Sequence, residues 1–75
     1  MKSEIEYNPD IMLGKPVIKG TRISVELILR KLAEGQTPAD IVASYPQLVI
    51  EDIYAALKHA SNLIANEEII IPKAS

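Results

Sequence analysis

Residues 14–24, Gly-Lys-Pro-Val-Ile-Lys-Gly-Thr-Arg-Ile-Ser, place two glycines, a proline and three cations ahead of an apolar stretch with helical spacing. Glycine-rich basic loops that open a helix can cradle a phosphate on their backbone N–H groups. The Walker form of that loop needs a lysine and a hydroxyl residue directly after its second glycine. Here Lys15 follows the first glycine, Gly20 is followed by Thr21-Arg22, and no βαβ unit frames the segment. Nucleotide binding is therefore not expected. A shaped turn is the stronger reading, with Gly14 and Gly20 taking backbone angles that other residues resist and Pro16 stiffening the stretch between them. The cations are a second layer. Lys15, Lys19 and Arg22 can touch phosphates; they can equally pair with acids such as Glu4 or Glu6, or stay solvated, which is the commoner outcome.

No other constellation suggests catalysis. The single histidine, His59, falls between Lys58 and Ala60 beside an apolar helical stripe and reads as a rim residue. Glu51 and Asp52 are neighbours in sequence, so they do not face each other on a helix, and Glu67-Glu68 reads as solvated. One histidine and no cysteine leave no transition-metal site and no disulfide. We expect no enzyme activity, no cofactor and no metal.

The elements that must position these groups follow from composition. Seventy-five residues make one domain, here residues 1–75. A chain this short buries only roughly 60 to 65% of its unfolded surface, so its stability is marginal without a support. With no disulfide or metal to help, oligomerisation is the support that remains. Apolar residues make up 48% of the chain with no Trp or Phe, which points to an aliphatic core rather than disorder. No apolar run reaches the roughly 18 residues needed to span a bilayer, and no secretory h-region follows the first residues, so a cytoplasmic location is the expectation. The net charge of −2 conceals a polarised chain. Between Lys15 and Lys31, five cations oppose only Glu26; between Glu34 and Asp52, four acids meet no cation.

Glu-Ile-Glu-Tyr at residues 4–7 alternates like a strand, and Asn8-Pro9-Asp10 turns the chain. Residues 1–23 read as short strands and turns forming a hairpin-like arm. Ser24 is a good N-cap for a first helix whose stripe is Val25, Ile28, Leu29 and Leu32, with Glu26 in its first turn, Arg30 and Lys31 in its last, and Gly35 beyond. Thr37-Pro38-Ala39-Asp40 carries the start of a second helix, with a hydroxyl cap, proline in the first turn and an acid three residues on. Its inner side is Ile41, Val42 and Tyr45, and Pro46 ends it. A third helix starts near Ile50, keeps an inner period through Ile53, Ala56, Leu57, Ala60 and Ile64, and fades near Asn66. Ile69-Ile70-Ile71, closed by Pro72, reads as a short strand or extended tail. The fold class is thus mainly α: an N-terminal strand and turn arm, three helices, and a C-terminal strand as an option. A short helix, a tight turn and a longer helix give helices two and three the outline of a helix-turn-helix.

The ordered motifs Leu13-Gly14-Lys15-Pro16-Val17-Ile18-Lys19-Gly20-Thr21-Arg22-Ile23, Ala33-Glu34-Gly35, Tyr45-Pro46-Gln47-Leu48 and Asp52-Ile53-Tyr54-Ala55-Ala56-Leu57 closely resemble the domain of unknown function 433 family, over about residues 4–64. These small prokaryotic proteins are often described as VapB-like antitoxins. The resemblance implies a helix-turn-helix-like fold and a toxin–antitoxin role beside a PIN-like nuclease. One position departs from the pattern. The family tends to place Thr or Ser where this chain has Val49, and valine cannot cap the third helix, a loss on the order of 1 kcal/mol. Glu51 and Asp52 in the first turn offset part of it, and they weaken DNA reading by that helix end.

Two function classes follow. The first is an antitoxin-like homodimer that binds a PIN-like nuclease and, as an option, operator DNA. The second is a non-catalytic homodimeric interaction domain that does not bind DNA. Candidate phosphate contacts are Lys15, Lys19, Arg22 and Lys58. The candidate partner-binding segment is Ile69, Ile70 and Ile71, which either folds back on the Ile5–Tyr7 strand of its own or a second copy, or docks on the nuclease by strand addition.

Overall fold

The structure, a computed structural model, describes residues 3–67. Strand β1 (Ile5–Tyr7) pairs antiparallel with β2 (Pro16–Ile18), with Ile5 opposite Ile18 and Tyr7 opposite Pro16. Three helices follow: α1 (Val25–Ala33), α2 (Pro38–Ser44) and α3 (Ile50–Glu67). The chain is mainly α with a two-stranded N-terminal arm, as its sequence predicts. The Ile69–Ile71 segment lies outside the described residues.

Local chemistry explains each boundary. The Ser24 side chain accepts from the Leu27 N–H at 3.0 Å and starts α1. At α2 the capping box is complete: Thr37 Oγ1 accepts from the Asp40 N–H at 3.1 Å, and Asp40 Oδ2 accepts from the Thr37 N–H at 3.0 Å. At α3 only half a box exists, because Val49 has no hydroxyl. Asp52 Oδ2 still reaches back to accept from the Val49 N–H at 2.9 Å. Asp52 is 7% exposed, so it is a structural acid and does not project from the helix end. The expectation that two carboxylates face outward there is corrected to one, Glu51.

The arm loop answers the question of the glycines. The Thr21 N–H donates to the Ile18 carbonyl at 2.9 Å, closing a four-residue turn whose third residue is Gly20 with φ +85°. That is the position at which a type II turn demands positive φ. The Thr21 hydroxyl donates to the Ile18 carbonyl at 2.8 Å and accepts from the Ile23 N–H at 2.9 Å. Both of its hydrogen-bonding roles are taken up inside the turn. The turn returns the chain beside β2, where Ser24 bridges Val17, and it aims α1 into the core.

The core is aliphatic. Ile18, Ile23, Val25, Ile28, Ile41, Leu48, Ile53 and Ala56 form one buried cluster drawn from the arm and all three helices. Ile5, Leu29, Leu32, Val42 and Tyr45 pack against it. The α2–α3 turn contributes Leu48, only 1% exposed, which locks the two helices together. The inner stripe read on α3 is covered only along its first half. Ile53 and Ala56 are buried, whereas Leu57 is 41% and Ile64 67% exposed. Eighteen residues make a helix about 27 Å long, and residues 61–66 are all exposed, so α3 outruns the body that covers it. No described helix is long and apolar enough to cross a membrane.

Candidate functional site

Two surface features concentrate chemistry. The first lies between the arm and the outer side of α1. Helical spacing puts Glu26 and Arg30 on one face, turned away from Val25 and Ile28, which face the core. Arg30 Nη2 donates to Glu26 Oε2 at 2.7 Å, and Lys15 Nζ from the arm donates to Glu26 Oε1 at 3.2 Å. Both oxygens of one carboxylate are thus engaged by different elements. Glu26 is held below the usual carboxylate range, chiefly by the Lys15 hydrogen bond and then by the charges of Lys15 and Arg30. An open depression of about 290 Å³ runs past these groups, lined by Met12, Lys15, Arg22, Ser24, Glu26, Leu27 and Arg30. Arg22 is exposed and makes no ion pair or hydrogen bond among the described residues. Three cations facing one carboxylate leave a local surplus of positive charge.

The rim of this depression is strained. Met12 (φ 51°) and Leu13 (φ 56°) both adopt the left-handed conformation ahead of Gly14 (φ 83°). Each such non-glycine residue costs roughly 1–2 kcal/mol. The conformation closes a single turn through Gly14 N–H to Ile11 O (3.0 Å) and Lys15 N–H to Met12 O (3.1 Å). It holds Leu13 92% exposed. Nothing in the residue types Met and Leu announces this geometry.

The sequence candidates separate on this map. Lys15 and Arg22 share the depression, joined by Arg30. Lys19 does not line it; its Nζ pairs with Glu4 Oε1 at 3.2 Å, one of the two acids expected to take it up. Lys58 stands exposed on α3, a different element. Of the four, only Lys15 and Arg22 line the depression. The Lys15–Glu26 pair joins residues eleven apart on different elements, and no local signal marks it; Glu26 and Arg30 at i, i+4 were legible as neighbours.

The second feature is the free side of α3. Tyr54 (58% exposed), Leu57 (41%) and Ile64 (67%) follow one another at i, i+3 and i+10, and Leu63 (43%) and Val49 (52%) flank them. At the neighbouring edge His59 Nε2 shares a 2.6 Å hydrogen bond with the Tyr7 hydroxyl, tying β1 to α3. The rings are tilted with centroids 5.6 Å apart. No cluster of His, Asp and Glu among the described residues has the arrangement to hold a metal ion.

These features define a small three-helix domain with a β-arm and two unpartnered surfaces, one cationic and one apolar. Residues 5–60 match the model of the family described as Protein of unknown function (DUF433), and the chain belongs to that family. No curated protein and no solved structure matches it.

Proposed function

We propose that this protein is a non-catalytic partner-binding module, the antitoxin-like component of a prokaryotic toxin–antitoxin pair, which acts in the cytoplasm as a homodimer and holds a PIN-like nuclease against the free side of α3. The observation that carries the reading is the run Tyr54, Leu57 and Ile64, more than two-fifths exposed along one helix side. A contiguous apolar stripe of this kind suits a partner protein. Charge supports the choice of partner. Glu34, Asp40 and Glu51 are exposed acids near the ends of α1, α2 and α3. An enzyme that works on nucleic acid presents cations around its substrate channel, and acidic helix ends complement that surface.

Operator DNA is the second reading, favoured by Arg22, which has no ion pair among the described residues, beside Lys15 and Arg30. It puts phosphates on the arm and α1, not on the start of α3. Co-expression with the neighbouring gene product, followed by affinity capture, tests the main reading. The nuclease co-purifies with the wild type and is lost with Leu57→Asp or Ile64→Asp. Retention by both variants would remove α3 from the interface, and no capture by the wild type leaves the plain homodimeric interaction domain. DNA titrations at two salt concentrations test the second reading: loss of one phosphate contact, as in Arg22→Ala, lowers the salt slope by about one.

A further inference from the structure

We infer that the depression between the arm and α1 receives the acidic–apolar segment Glu67-Glu68-Ile69-Ile70-Ile71 of a second copy, and that two copies exchange these segments reciprocally. The inference rests on the homodimer part of the reading above, and supplies the contact that makes the dimer.

The depression asks for a ligand that is anionic at one end and apolar at the other. Glu26 already occupies Lys15 and Arg30 through both of its oxygens, at 3.2 and 2.7 Å. Arg22 is the lining cation with no ion pair among the described residues. Beside these charges lie Met12 and Leu27, and the neighbouring Leu13 is held 92% exposed by a left-handed backbone. An exposed leucine on a left-handed backbone is a candidate contact.

The chain itself contains one segment of complementary chemistry. It has two pairs of adjacent acids, Glu51-Asp52 and Glu67-Glu68. The first is committed to the start of α3, where Asp52 is buried on the Val49 N–H. The second is followed directly by three isoleucines. Carboxylates on the guanidinium of Arg22 and isoleucines on Met12, Leu13 and Leu27 would match both parts of the surface. Guanidinium–carboxylate pairing fixes register, and the apolar contact supplies affinity.

The exchange runs between copies because the face of α1 that carries Glu26 and Arg30 is turned away from the face that packs on α3. Helix α3 packs on the opposite face of α1 and runs on past the body through residues 61–66, all exposed. Two copies related by a twofold axis satisfy both depressions at once, which closes the assembly as an isologous dimer.

Sedimentation velocity on full-length protein with swapped charges decides the matter. The wild type should be a dimer that weakens as salt rises. Arg22→Glu alone and Glu68→Arg alone should each weaken the dimer at least about tenfold, the effect of a single charged pair of moderate strength. An equimolar mixture of the two variants should recover a dimer, because both contacts in the mixed pair then join opposite charges. Arg22→Gln, a milder change at an exposed position, should give an intermediate constant and guards against a folding defect. A monomeric wild type, single variants that dimerise like wild type, or a mixture that stays monomeric would each overturn the inference. So would an Arg22→Glu protein that keeps its dimer but loses DNA binding, which would make the depression a phosphate site. Capture of the nuclease through α3 is read separately, so either proposal can fail without the other.

Discussion

The start of α3 offers a quantitative test, because α2 provides its control within the same chain. Thr37 and Asp40 form a complete reciprocal box, with bonds of 3.1 and 3.0 Å. Val49 and Asp52 have the same spacing and keep only the return bond of 2.9 Å. Asp52→Ala removes a charged acceptor that is 7% exposed and strands the Val49 N–H. A hydrogen bond to a charged group contributes about 1.5–3 kcal/mol, and a carboxylate in the first turn adds about 0.3–1 kcal/mol through the helix dipole. The two overlap, so a loss of about 2–3 kcal/mol is expected. Unfolding entropy of about 2.1 cal/mol/K per residue makes each kcal/mol worth roughly 6 °C in a chain of this size. Tm should therefore fall by roughly 12–18 °C. Val49→Thr should add the missing half of the box for about 0.5–1 kcal/mol, a rise of roughly 3–6 °C. Val49 is 52% exposed, so exchanging a methyl for a hydroxyl forfeits little burial. Glu51→Gln, at an exposed position one residue earlier, should change stability by less than about 0.5 kcal/mol. Thermal melts by circular dichroism at neutral pH, backed by urea titrations, measure all three. If Asp52→Ala and Glu51→Gln fall within about 0.5 kcal/mol of each other, the capping argument is wrong.

The left-handed positions should respond in opposite directions. Gly20→Ala forces a Cβ onto φ +85° with no atom within 4 Å to clash, so it should lose the backbone term alone, about 1–2 kcal/mol. Leu13→Asn should gain up to about 1 kcal/mol at φ 56° in the dissociated chain, since Asn tolerates that conformation and Leu13 buries almost nothing within its own copy; a destabilised Leu13→Asn in dilute, monomeric protein would mean the strain is not there. Acid should expose the Glu26 cluster. Its carboxyl is held below the usual range by Lys15 and then Arg30, so its contribution is complete above the unfolded-state carboxyl pKa and vanishes as pH falls through the folded one. The Tm gap between wild type and Glu26→Gln should be small, because the partners are more than half exposed, and should close below about pH 4. A gap that widens in acid would refute that linkage.

How much of this was legible in the sequence depends on how local the cause is. Ser24 and Thr37 announce α1 and α2 because a cap is decided within three residues of itself. Gly20 announces its turn because only one residue type is comfortable at that angle. Helical periodicity on α3 showed which side is apolar, but it carries no information about what covers that side. Leu57 and Ile64 therefore read as core although they are exposed. Met12 and Leu13 gave no warning, since their conformation is imposed by the loop that joins β1 to β2. The Lys15–Glu26 contact depends on where the arm docks against α1, a tertiary fact with no sequence period. Asp52 was read as a first-turn acid. Its carboxylate takes the Val49 N–H as Asp40 takes the Thr37 N–H, but its burial depends on tertiary packing around the start of α3, which leaves no mark in the local sequence.

Burial of Asp52 constrains what the helix-turn-helix outline of α2 and α3 can do. A helix that reads the major groove presents donors and cations from its first turns. The start of α3 presents Val49 just ahead of the helix, then Glu51 and Tyr54, and the first cation on the helix is Lys58. Asp52 cannot rotate outward to take part in recognition without releasing the Val49 N–H. An exposed acid with apolar neighbours at this helix end disfavours a phosphate backbone there and is in keeping with the proposed protein partner. Positive charge sits instead on the arm and the outer side of α1, at Lys15, Arg22 and Arg30. The Tyr7–His59 bond and the Val17–Ser24 bridge hold the arm to the helical body. The two surfaces therefore keep a fixed relation, so the proposed partner on one would leave the other open to the proposed second copy.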